Sequence, residues 1–209
     1  MCAWHDMAGS FRAISLRLAA LIALAPALAA PANAARLESR YTSIANSDCV
    51  IAPPLDEEVE EQSKTCLGPA GISVVVNGLG TSVQIALTWD ETNADGAPSV
   101  VEAWSAGEKI EWRGPVVSGV FKAEAAIVRM LFPKEGTPDV GHQVLAIIRV
   151  EYGEACLLGA VDIGANKNGY QLARSAADNA SQFQCDRDSA VAIGKKTEWT
   201  RRVIEASGG

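Results

Sequence analysis

Ala125-Ala-Ile-Val-Arg-Met-Leu-Phe132, Val144-Leu-Ala-Ile-Ile-Arg-Val-Glu-Tyr152 and Ala155-Cys-Leu-Leu-Gly-Ala-Val-Asp-Ile163 are three apolar runs in close succession. Each has strand length, and the first two are apolar on both faces, which places them in the middle of a sheet. Lys134 to Gly141, with Gly136, Pro138 and Gly141, separates the first pair. Tyr152-Gly153-Glu154 separates the second, and both are turn compositions. The spacing predicts an antiparallel meander.

The same reading extends outward. Ile72, Val74 and Val76 alternate with Ser73 and Asn77, and Val83, Ile85, Leu87 and Trp89 alternate with Gln84, Ala86 and Thr88. Asn77-Gly78-Leu79-Gly80 between them tolerates positive φ, so the pair reads as a hairpin with one wet face. Arg36 to Ile44 reads as a first strand. In Lys109-Ile110-Glu111-Trp112-Arg113, Ile110 and Trp112 share one face while Glu111 and Arg113 share the other. Ser99 to Trp104 reads as a short helical turn. Asn166 to Gln184 reads as the one helix, capped by Asn166 or Asn168, with a stripe of Leu172, Ala173, Ala176, Ala177, Ala180 and Phe183. The expected fold is α+β: a mostly antiparallel twisted sheet of about seven strands with one C-terminal helix packed on it.

The chain has 209 residues with a formal net charge of −7. Its start reads as an export signal over 1–34: Arg12 and Arg17, an apolar stretch from Leu18 to Ala30, then Ala32-Asn33-Ala34 as a cleavage pattern. Met7 offers a second, more conventional start. Removing 1–34 takes away Arg12, Arg17 and Asp6, so the mature charge becomes −8, with His142 as its one histidine. The mature chain is expected as a single domain over 35–185 and a polar tail over 186–209. No later apolar run has the ~20 residues that span a bilayer, so no membrane span is expected after the signal. The negative charge argues against nucleic acid as partner, because binding it requires Lys and Arg to replace phosphate counterions.

Cys49, Cys66, Cys156 and Cys185 remain in the mature chain. In an oxidising compartment an even set implies two disulfides, in one of three connectivities. Cys49–Cys66 with Cys156–Cys185 closes the shortest loops and is favoured. No C-x-x-C spacing is present, and neither a metal nor a cofactor is expected.

Three patterns have the residue types of a chemical site. Glu91-Thr-Asn-Ala-Asp-Gly-Ala-Pro-Ser-Val-Val-Glu102 matches a calcium loop at several ligand positions, but it opens on Glu and carries Pro98, so an acidic turn is the simpler reading. His142 with Asp162, and Ser118 or Ser105 as nucleophile, lacks any supporting motif such as the Gly-x-Ser-x-Gly elbow. Asn179-Ala-Ser181 is a formal glycosylation sequon on the expected helix. No catalytic residue is assigned. Two charge features stand out, the acid run Asp56, Glu57, Glu58, Glu60 and Glu61 and the basic segment from Lys195 to Arg202. The acid run, held between Cys49 and Cys66, is the expected partner-binding surface.

Arg40-Tyr41-Thr42-Ser43-Ile44, Thr65-Cys66-Leu67-Gly68, Lys109 to Arg113, Cys156 with Val161-Asp162 and Asn166, and Ala173-Arg174 with Ala177-Asp178 before Cys185 are spread along most of the mature chain. With these elements the sequence resembles a family of uncharacterised small exported proteins of Gram-negative bacteria. The resemblance implies a single exported domain and no particular activity. The functional expectation is a non-enzymatic periplasmic or secreted protein that binds an envelope component or an exported protein. The alternatives are a hydrolase of envelope polymers acting through Asp or Glu, and a small acidic inhibitor of a cationic hydrolase such as lysozyme.

Overall fold

The structure is a computed structural model that describes residues 36–53, 62–90 and 97–207. The expected signal over 1–34, the acid run from Asp56 to Glu61 and the first half of the calcium-like loop lie outside the described residues. All that is described falls in one compact unit, Ala34–Gly209.

The expected single sheet is corrected to two. A five-stranded antiparallel sheet runs in the order β2 (Cys49–Ile51), β3 (Ser63–Leu67), β4 (Ser73–Leu79), β5 (Ser82–Thr88) and β6 (Ser99–Ala103). A seven-stranded sheet has the order β1 (Leu37–Ser43), β7 (Ser105–Val117), β9 (Ala125–Pro133), β10 (Val140–Glu151), β11 (Glu154–Asp162) and β12 (Val191–Ala192), with β8 (Val120–Phe121) paired to β7. Among the described strands only β12 pairs in parallel, with β11. The meander β9–β10–β11 and the hairpin β4–β5 form as the sequence implies. The chain passes between the sheets at Trp104, with no glycine or proline there to announce the crossing.

Alternation along each strand divides the core. Val74, Val76, Ile85, Leu87 and Val101 of the smaller sheet meet Ile110, Trp112, Val128, Met130, Val144, Ile148 and Val150 of the larger one in a single cluster. The opposite face of the larger sheet presents Ala125, Ile127, Leu145, Ile147 and Val161 to Ala173, Ala177 and Ala180. Small residues let the helix lie close to the strands, so the stripe read from the sequence does its expected work. The hairpin's outer face is drier than expected: Ser73, Val75 and Ala86 are buried, because short side chains inside a five-stranded sheet are shaded by their neighbours.

Three further expectations change. The expected long helix is α1 (Gly169–Ala177) followed by a 3-10 turn over Ala180–Gln182. Its N-cap is Asn168, with no side-chain capping bond, while buried Asn166 donates to the Asp162 carbonyl and accepts from the Lys195 backbone. Ser99 to Ala103 is strand rather than helical turn, as the β-branched pair Val100-Val101 favours. The expected polar tail contains β12 and α2 (Glu198–Ala206), whose Thr200 and Val203 are fully buried. Thr197 and Thr200 form a reciprocal capping box at its start. The disulfides are Cys49–Cys66, which joins directly opposed residues of β2 and β3, and Cys156–Cys185, which ties β11 to the segment after α1. No helix among the described residues is long and apolar enough to cross a membrane.

Candidate functional site

Two hairpins of the larger sheet end at the same side of the molecule. In one, Val117 pairs with Val120 across Ser118 and Gly119, both at positive φ, 52° and 82°. That is the geometry of a two-residue turn whose twist matches its strands. In the other, Glu151 pairs with Glu154 across Tyr152 and Gly153. Trp89, just past β5, comes up between the sheets, and its ring lies 6.2 Å from that of Tyr152. Together with Ile72, Phe121 and Val150 these residues line an open groove of about 510 Å³. This lies within the ~300–1,000 Å³ range of ligand pockets.

The groove's walls are buried but its rim is not. Tyr152 is 88% exposed, Val120 69% and Val117 53%, an apolar rim on two turn-stiffened hairpins. The charged groups beside it are balanced. Arg149 donates to Glu151 and lies 3.8 Å from Glu154, while Lys122 approaches Glu124 at 4.0 Å. Glu124 and Glu151 line the groove, each beside a cation. Gly114 supports the β7–β8 hairpin: a Cβ there would lie 1.8 Å from the Lys122 carbonyl oxygen.

The Lys109-to-Arg113 motif serves the opposite face. Arg113 makes three bonds to the Asp178 carboxylate at 2.5–2.8 Å. Glu111, 8% exposed, accepts from Arg174 Nε at 2.7 Å and from Ser39 Oγ at 2.6 Å. These bonds fasten α1 to β1 and β7. Burial pushes the Glu111 pKa up, but the bonds from Arg174 and Ser39, with the charges of Arg174 and Arg113, outweigh it and hold the carboxyl below its ordinary value. Arg174 is raised by its hydrogen bond to Glu111. Lys64 is lowered by burial, opposed by Glu108. A lowered carboxylate contributes stability above its unfolded pKa, ~4.3, that is lost as pH falls through its folded value. Glu111→Gln is therefore expected to lower the melting temperature at pH near neutrality and to narrow its gap to wild type on acidification toward pH ~3. A gap that stays constant across that titration would show that the charge of Glu111 contributes nothing.

The serine–histidine arrangement is not assembled. His142 pairs with Phe132 at one end of β9, Ala125 at the other end is about 23 Å away at strand rise, and Ser118 lies farther still, at the hairpin tip beyond Ala125. Ser105 pairs with Leu131, on the sheet face opposite His142. The His142 ring is stacked 4.1 Å from that of Trp199, and Asp162 accepts from the backbone N–H groups of Gly164 and Ala165. In the calcium-like loop, Glu102 lies on β6 and accepts from Ser82 and Gln84. Asn179 donates to the Ser175 carbonyl. The basic segment is dispersed: Arg201 pairs with Glu205, Arg202 with Glu198, and Arg202 also lies over the Trp199 ring at 4.8 Å.

The groove is not anticipated by any motif in the sequence. Its available signals were an aromatic at a hairpin tip, Tyr152, and two valines flanking Ser118-Gly119. Compared with protein-family models, with curated proteins and with solved structures, the chain gives no match. The fold and the groove define its class, a two-sheet α+β protein with an open apolar end.

Proposed function

We propose that this is an exported, non-catalytic binding protein whose end groove receives an envelope component or an exported protein. The observation that carries the reading is the apolar rim of Val117, Val120 and Tyr152 around a preformed groove. Exposed apolar surface of this kind marks interaction sites, and aromatic residues such as Tyr152 and Trp89 are enriched at interface cores, with charged groups at the rim. The two disulfides fit an oxidising compartment. The acid run from Asp56 to Glu61 remains a proposed second contact for a cationic partner.

The test is site-specific photocrosslinking in the exported fraction. A crosslinking side chain at Tyr152 is expected to give discrete adducts, and one at exposed Lys167 none. Val120→Asp, which places a charge on the rim of the groove, is expected to cut the Tyr152 adducts by about tenfold, equivalent to ~1.4 kcal/mol of contact energy. Equal adducts from both positions, or adducts indifferent to Val120→Asp, would remove the groove as the binding surface.

A further inference from the structure

A second concavity, independent of the groove, lies on the α1 side of the larger sheet where the helix leaves the strands uncovered. It is a slot of about 320 Å³ lined by Tyr41, Lys109, Glu111, Arg129, Tyr170 and the apolar pair Ile127 and Leu145. The slot exists because β7 bulges against β9 between Ala106 and Ile110. Gly107 in that bulge would bring a Cβ within 3.3 Å of the Arg129 side chain, so its bareness lets the arginine lie across β7.

The hydrogen-bonding inventory of the slot is one-sided. Tyr170 accepts from Arg129 at 2.6 Å and Tyr41 accepts from Arg174 at 3.2 Å. Each phenol thus keeps its own O–H to donate. Arg129 uses one of its five N–H donors on Tyr170, and Lys109 makes no ion pair among the described residues. The acceptors are largely taken. Glu111 already receives Arg174 through both oxygens and Ser39 through one, which leaves the Glu108 carboxylate at the rim. The lining carries two cations and two carboxylates, but Glu111 is engaged by Arg174 and Glu108 interacts with Lys64. The donors of Arg129 and Lys109, the two phenols and the apolar floor are therefore complementary to an acceptor-rich, negatively charged molecule with an apolar body.

We propose that the slot binds a small organic anion: a carboxylate or phosphate held by Arg129 and Lys109, flanked by Tyr41 and Tyr170, its apolar body resting on Ile127 and Leu145. Charge-assisted bonds from a planar guanidinium would set the orientation of the anion, and the two tyrosine rings would set the width of the body.

The test uses the mature chain and three matched probes, benzoate, phenyl phosphate and neutral benzamide, followed by proton–nitrogen correlation spectra. Benzoate or phenyl phosphate is expected to shift the amides of Gly107, Lys109 and Arg129 saturably, and the stronger of the two identifies the head group. Benzamide is expected to bind at least about fivefold more weakly. Arg129→Gln, an exposed position, is expected to weaken the anion by about fivefold or more without moving the thermal midpoint, and Lys167→Gln to leave it unchanged. Equal binding of benzamide and benzoate, unaltered binding by Arg129→Gln, or no saturable shift at tens of millimolar of either anion would overturn the proposal.

Discussion

Trp112→Ala is expected to destabilise the protein by about 3–5 kcal/mol, the range for removing a large aromatic from a packed core. Trp112 is fully buried in the cluster between the sheets. Its indole N–H donates to Thr42 Oγ1 at 2.8 Å, binding β7 to β1 from inside. Its ring also underlies the turn that opens β4: a Cβ at Gly68 would sit 3.0 Å from the ring edge. That turn, closed by a bond from the Gly68 N–H to the Ile72 carbonyl, carries Ala70 and Ile72, both in the wall of the end groove. The alanine variant therefore combines lost apolar transfer, a cavity and an unmet Thr42 hydroxyl, and loosens one side of the groove. Urea titration should show the midpoint falling with little change in slope. Trp112→Phe keeps most of the ring and loses the donor, so it should cost about 1–2 kcal/mol. An alanine variant within about 1 kcal/mol of wild type would mean the two sheets do not depend on this contact.

The sequence carried the larger sheet better than its surroundings, and the reason lies in how strands announce themselves. β9, β10 and β11 are long, apolar on both faces and separated by glycine-rich turns, so local pattern and tertiary placement agree. Nothing in such a pattern says which strands share a sheet. β6 and β7 are almost continuous, Ala103 to Ser105, yet belong to different sheets, and the bend at Trp104 has no turn chemistry. α2 was hidden by its composition. Glu198, Arg201, Arg202 and Glu205 dominate it, and its buried face is only Thr200 and Val203, with Trp199 and Ile204 packed beside them. The signals of α2 in the sequence are Thr197 with Thr200 as a cap and the charge pairs at four-residue spacing.

The sites were less legible still, because both are made by backbone rather than by motif. The groove depends on two hairpin tips reaching the same end of a sheet. The slot depends on a bulge that sets Lys109 and Arg129 beside each other from different strands. Within Lys109-Ile110-Glu111-Trp112-Arg113 the alternation divides the labour: Ile110 and Trp112 enter the core, Glu111 and Arg113 hold α1, and Lys109 turns to the slot. The period of two was readable in the sequence. The destination of each face was not.

Loss of the Cys156–Cys185 bridge is expected to have the other large effect. The cystines lie 29 residues apart, and releasing a loop of that length costs about 3–4 kcal/mol on the chain-entropy model. The bridge anchors the segment after α1 to β11 just before the chain turns toward β12 and α2. Apart from the bridge, that last stretch is held by the two-residue pairing of β12, by backbone bonds from Ile193 to the Ala160 carbonyl and from Lys195 to Asn166, and by the packing of α2 through Val203, Thr200, Trp199 and Ile204. The double variant Cys156→Ser/Cys185→Ser should therefore lose protection from hydrogen exchange first in α2, together with the stacking of Trp199 on His142, while β9 and β10 stay protected. The Cys49–Cys66 bridge closes a shorter loop between strands already paired, so Cys49→Ser/Cys66→Ser should cost less and leave α2 protected. If the two double variants lose equal stability and α2 exchanges no faster in the first, the C-terminal segment is held by packing alone. If the order is as expected, folding of the last quarter of the chain is coupled to oxidation of this pair.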